Sequence, residues 1–264
     1  MKEIKIADAF SKGKALITFI TGGDPNLATT EKLLIAMQKA GSDLIEIGIP
    51  FSDPIAEGPV IQEANERALA DGCTTDKLFD IVKKVRQEET VTVPMVFLTY
   101  INPIFTYGKE NFMQRCVECG INGLIIPDLP FEEKDELADV CKEYGIDIIS
   151  MIAPTSKERI QRIASKATGF LYVVSSLGVT GMRSNITTDI GTMISHVREA
   201  SNIPAAVGFG ISNKDQAREM AHKSDGAIIG SAIVKIVAKY GVECVPEVEK
   251  FIGELRQGVD AALY

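Results

Sequence analysis

The stretch DLIEIGIPFSDPIAEGP (residues 43–59) runs from a short apolar segment into a stiff loop, with Glu46 inside the first part and Glu57 in the second. Leu44-Ile45 lead into Glu46, Gly48 follows, and Pro50, Pro54 and Pro59 then break the chain, with Glu57 between the last two. On an extended strand, Leu44, Glu46 and Gly48 share one face, and Ile45 and Ile47 the other. A segment apolar on both faces reads as a strand of a parallel sheet covered by helices. A charged side chain inside such a strand is costly unless its surroundings compensate it.

The same alternation recurs along the chain. Apolar runs occupy 15–20, 44–49, 94–100, 123–127, 147–152, 170–174, 204–209 and 226–230. Helical patterns separate them, for example at 30–41, 77–88, 133–145, 157–167 and 213–223. Asp76, Ser156 and Ser212 stand where N-caps are expected, and Gly41, Gly120 and Gly145 where helices stop. Eight strands alternating with helices predict a closed (β/α)8 TIM barrel, α/β in class, as one domain over 1–264. An extra N-terminal helix and a short helix after the eighth strand complete the expectation. The alternative is an open doubly wound sheet, although no G-x-G-x-x-G follows the first run.

The chain has 264 residues, with Lys+Arg 28 against Asp+Glu 36 and a net charge of −8. That balance argues against nucleic acid or an anionic membrane as the main partner. No apolar run reaches the roughly 18 residues of a membrane span, and the charged start MKEIKIADAF lacks the core of a secretory signal. A cytoplasmic protein is the expectation. Five cysteines, an odd number in a long chain, predict no disulfide framework. Cys116 and Cys119 form a C-x-x-C pair without a second pair, and read as packed thiols on a helix. No metal site is expected.

In this fold the active site lies at the carboxyl ends of the strands. Glu46, pointing into the barrel mouth, would sit in low dielectric with a raised pKa, able to give and recover a proton near neutral pH. The bland reading is a buried acid tied to a neighbour. Glu57 is a loop acid, and such acids are ordinarily solvated; it gains weight because its loop would overhang the same mouth. Gly208-Phe209-Gly210 follows the seventh run, and Gly230-Ser231 follows the eighth and opens a helix. Turns at those two strand ends form the phosphate seat of such barrels. The long connection Leu177–Asp189 reads as a lid or simply as a long loop, and Tyr172 as core or as a hydroxyl at the mouth.

With these residues in place, the chain resembles the alpha subunits of tryptophan synthase over nearly its whole length. The likeness rests on Phe19-Ile-Thr-Gly-Gly-Asp24-Pro25, the run from Glu46 to Pro59, Pro127-Asp128-Leu-Pro130 and Tyr172. It continues through Gly178-Val-Thr180-Gly181, Gly208-Phe209-Gly210-Ile-Ser and Gly230-Ser231-Ala-Ile-Val. The resemblance implies retro-aldol cleavage of indole-3-glycerol phosphate to indole and glyceraldehyde 3-phosphate, with Glu46 as general acid and base and Tyr172 beside it. Glu57 falls where the motif has Asp, so its arm is one methylene longer. By the same resemblance Phe19, Leu98, Tyr100, Pro127 and Ile228 line an indole pocket. Gly181, Gly210, Gly230 and Ser231 match phosphate contacts, with Thr180 and Phe209 inside the same motifs. No cofactor is implied on this chain. Pyridoxal phosphate is expected on a beta-subunit partner in an alpha2beta2 heterotetramer.

Two other readings stay open at this point. Another phosphate-binding barrel, such as a sugar-phosphate isomerase, would share the 208–210 and 230–231 turns but gives no reason for the full Glu46–Pro59 run. A subunit weakened by Glu57 and acting mainly as an activator of its partner rests on that departure alone.

Overall fold

The computed structural model describes residues 4–88, 90–174, 189–208 and 210–263. Eight parallel strands close into a barrel in chain order. They are β1 (Ala15–Thr21), β2 (Leu44–Gly48), β3 (Met95–Leu98), β4 (Gly123–Ile125), β5 (Asp147–Ile152), β6 (Leu171–Val174), β7 (Ala205–Gly208) and β8 (Gly226–Ile229). β1 pairs with both β2 and β8, which closes the ring. All eight sequence runs therefore become strands; six are trimmed at their ends, β5 keeps the bounds of its run and β1 extends one residue further. The closed barrel excludes the open doubly wound sheet.

Strand alternation sorts the apolar side chains into two layers. Ile45 and Ile47 face the helices, in one continuous core with Leu33, Phe79 and Phe97. Ile17, Leu44, Val96, Ile125, Ile149 and Ala206 fill the barrel itself. This interior is solid packing of branched side chains, as the fold requires. The amino-terminal end of the barrel is plugged by Ile6 and Ala9, with Phe10 against Phe170 at 5.8 Å between ring centroids. Those residues belong to a 3-10 helix, Ile6–Phe10, so the expected N-terminal helix is a single short turn. After β8 the chain forms the helix Ser231–Tyr240 and then Val245–Asp260.

Helix ends differ from the sequence reading in two places. Ser156 caps its helix by accepting from Arg159 N–H. The helix Thr75–Gln87 is capped by Thr74 in place of Asp76, which lies inside the first turn. Asn213, not Ser212, caps Lys214–Lys223 and accepts from the N–H groups of Asp215 and Gln216. In both cases the true cap is the residue with extended backbone, and its neighbour is an equally plausible cap by type alone. Gly120 and Gly145 end their helices in the left-handed region, as expected.

The five cysteines are free and buried. Cys116 and Cys119 pack on the inner face of Lys109–Cys119, with their thiols pushed up by burial. No described helix is long and apolar enough to cross a membrane.

A buried cation holds the amino-terminal end of β3 and β4. Arg86 donates from Nη1 to the carbonyls of Val91 at 2.8 Å and Val93 at 2.7 Å, and from Nε to Gly120 O at 3.2 Å. Its Nη2 reaches Asn122 Oδ1 at 3.2 Å, and that oxygen also accepts from Met95 N–H at 3.0 Å. Burial lowers the guanidinium pKa to about 10. Replacing Arg86 by Leu strands these buried acceptors, which cost about 1–3 kcal/mol each when unsatisfied. Arg86→Leu is expected to lower unfolding free energy by about 2–4 kcal/mol in urea titrations, while kcat/KM of the folded protein is retained. An unchanged urea midpoint would contradict this role.

Candidate active site at the carboxyl end of the barrel

β2 delivers Glu46 to the mouth. Its register neighbours are Phe19 on β1 and Val96 on β3, so it stands at the height where the packed interior gives way to a cleft. Glu46 is 1% exposed. Its Oε1 has no hydrogen-bond partner among the described residues. Burial pushes its carboxyl up to about 8, with no opposing contribution from a cation or donor. Such a group is largely protonated at neutral pH and still within reach of ionisation.

Tyr172 approaches from β6. Burial, with the neighbouring Glu46 charge, raises its phenol well above the usual range, so it stays a neutral donor. A Cβ on Gly208 would come within 2.7 Å of the Tyr172 hydroxyl and ring edge. Glycine at that point of β7 is what lets the phenol lie across the mouth.

Glu57 reaches the same cleft from the loop after β2. It is 3% exposed, unlike an ordinary loop acid. Its own carbonyl accepts from Gln62 Nε2 at 2.8 Å, which ties the loop to the helix Pro59–Ala70. Its carboxylate oxygen Oε2 accepts from the Tyr100 hydroxyl. Burial raises the Glu57 pKa to about 7; the nearby Asp128 charge adds to this, and the N–H groups of Ala56 and Glu57 oppose it. Two acids of different strength therefore line one cleft.

The remaining walls are apolar and suited to a flat ring. Phe19, Leu98, Pro127 and Ile228, which the resemblance matches to an indole pocket, line the cleft. Met151, Ile61 and Ala56 also line it and were not singled out. Met151 looks like core within DIISMI, but its register partner is Tyr172, and that pairing is the signal that could have revealed it. Tyr100 stands behind Glu57 and does not contribute to the cleft wall.

The polar end of the cleft is formed by Gly210 and Ile211 after β7 and by Gly230 and Ser231 after β8. Gly210 has φ +85°, a conformation that turns the chain sharply. Gly230 is the N-cap of Ser231–Tyr240, and its carbonyl already binds the N–H groups of Ile233 at 2.8 Å and Val234 at 3.1 Å. The preceding N–H groups of that helix lack intrahelical partners by geometry and suit an anion. Thr180, Gly181, Phe209 and the loop residues 175–188 lie outside the described residues. Among the described residues no group of three or more His, Cys, Asp or Glu could hold a metal.

This arrangement matches proteins of known kind. The family model for the tryptophan synthase alpha chain covers residues 6–260. The tryptophan synthase alpha chain of Lacticaseibacillus casei is 48% identical over 257 residues, 97% of this chain and 96% of that protein. The one from Methanocaldococcus jannaschii is 48% identical over 243 residues, 90% of this chain and 86% of that protein. Among solved structures, the Legionella pneumophila alpha chain superposes with a TM-score of 0.87 at 34% identity, covering 97% of both chains. A chain of Mycobacterium tuberculosis tryptophan synthase also gives 0.87, at 30% identity, covering 98% of this chain and 99% of that one. The chain belongs to the tryptophan synthase alpha chain family.

Proposed function

We propose that Glu46 and Glu57 divide the proton chemistry of a carbon–carbon lyase. The activity is that of the family: cleavage of indole-3-glycerol phosphate to indole and glyceraldehyde 3-phosphate, in tryptophan biosynthesis. The observation that carries the assignment of roles is the buried Glu46 carboxyl, whose Oε1 has no partner among the described residues, in the cleft that ends at the Gly210 and Gly230 turns.

The carbon–carbon bond cannot break until the indole ring can accept its electrons. Protonated Glu46 gives its proton to the ring carbon that bears the glycerol chain. Positive charge then develops on the ring nitrogen, and ionised Glu57 stabilises it through the N–H. Glu46, now a carboxylate, takes the proton of the neighbouring glycerol hydroxyl. The hydroxyl oxygen becomes the aldehyde carbonyl, the bond breaks, its electrons return to the ring, and Glu46 ends protonated as it began. One carboxyl of raised pKa suits both directions of transfer. Tyr172 supplies a neutral hydroxyl beside it. Phe19, Leu98, Pro127 and Ile228 bind the indole. Gly210, Gly230 and Ser231, with Gly181, hold the phosphate, whose remote binding energy fixes the reacting end in register.

The same kinship supports a reading of the wider assembly. The chain works with a beta subunit, as an alpha2beta2 heterotetramer in the cytoplasm. It carries no cofactor itself, and pyridoxal phosphate resides on the partner. Ile55, 72% exposed in the loop beside Glu57, and Phe105, 46% exposed just after β3, lie on the mouth side and suit such a partner.

Glu46→Gln is expected to abolish indole release from indole-3-glycerol phosphate while leaving circular dichroism unchanged. Near wild-type cleavage by that variant would remove Glu46 from the mechanism. The scheme also fixes the pH profile, because Glu57 must lose its proton and Glu46 must keep its own. A plot of kcat/KM against pH is expected to rise through about 7 and fall through about 8. A flat profile from roughly pH 6 to 9 would contradict the division of roles.

A further inference from the structure

The weaker acid of this site, Glu46, is raised by burial, and its Oε1 has no partner among the described residues; the stronger one, Glu57, has a dedicated support. Tyr100 is buried just beyond β3. Its hydroxyl donates to Glu57 Oε2 and accepts from Ala56 N–H at 3.0 Å. Its ring rests against Phe51, with centroids 5.4 Å apart. The loop 51–57 thus grips one phenol by an aromatic face, a backbone donor and a carboxylate. Behind it, Asp128 beyond β4 accepts from Ile101 N–H at 3.0 Å, which fixes the chain directly after Tyr100. That same Asp128 places a negative charge near Glu57 and opposes its ionisation.

We propose that Tyr100 is a positioning residue for Glu57, and that its hydroxyl is what the longer glutamate arm is fitted to reach. The inference rests on the reading of Glu57 as the anion facing the indole N–H. A hydroxyl donating to a carboxylate favours the ionised form. It also occupies one oxygen and leaves the other for the substrate. An aspartate arm at residue 57 is shorter by one carbon–carbon bond, about 1.5 Å, which draws the carboxylate away from the hydroxyl and weakens this hydrogen bond. The resemblance gives aspartate as the motif's residue at this position; the geometry of this loop favours the longer glutamate.

The test is a cycle of Tyr100→Phe, Glu57→Asp and the double variant, each assayed as full chain for indole release, with and without a beta subunit. Tyr100→Phe is expected to lower kcat about tenfold with KM within about twofold, since the lost hydroxyl acts on Glu57 and not on substrate affinity. Glu57→Asp is expected to lower kcat by a similar factor. In the Glu57→Asp background, Tyr100→Phe should then change kcat by less than about twofold, because the contact is already weakened. Equal losses from Tyr100→Phe in both backgrounds would overturn the proposal, as would a raised KM at unchanged kcat. Full activity of Glu57→Asp would overturn it independently of how well Tyr100→Phe folds. Glu57→Gln separates the two levels. If it keeps the wild-type rate, the two-acid reading falls and this inference with it. If it is inactive while the cycle shows no coupling, only the positioning role falls.

Discussion

One carboxyl group, withdrawn from water and without an ion-pair partner among the described residues, is the constraint around which this barrel mouth is built. Glu46 arrives there because strand alternation leaves it no other place: Ile45 and Ile47 are committed to the helix layer, so Leu44 and Glu46 turn inward. A charged carboxylate at that position would be expensive, and the group responds by holding its proton. The proposed mechanism uses this cost, since a carboxyl held near neutrality is one that exchanges a proton in either direction.

The second acid is controlled by opposite means. Glu57 comes on a loop, where burial has to be constructed. Pro50, Pro54 and Pro59 stiffen the segment, Gln62 ties it to the following helix, and Tyr100 and Phe51 fix its inner side. Donors around the Glu57 carboxylate offset part of the burial, so it ionises more readily than Glu46. Two residues of the same type are thus separated in strength by environment alone. In the proposed mechanism the glycine turns after β7 and β8, which line the end of the cleft, set where the phosphate sits and how far the reacting bond lies from the acids.

Much of this was legible in the sequence because the signals were local. Each apolar run of four to eight residues could be little else than a buried strand, and the alternation within β2 already assigned the face of Glu46. What was not legible depended on three-dimensional company. Thr74 and Asn213 cap their helices because of backbone conformation, which residue type does not reveal when Asp76 and Ser212 stand beside them. Glu57 looked like a solvated loop acid because its cover comes from residues beyond β3 and β4, some forty and seventy positions away. Tyr100 resembled another wall of the indole pocket, and only the pairing of its hydroxyl gave it a separate task. Met151 was hidden inside an apolar strand, where cleft and core side chains look alike.

The central claim concerns the protonation of one group, and it can be observed without turnover. Difference infrared spectra of the full chain across a pH series, with Glu46→Gln as the reference, isolate the carboxyl stretch of that side chain. A protonated band that persists at neutral pH and titrates near about 8 is the expected result. A band already lost by about pH 5, near the ordinary glutamate value, would contradict it.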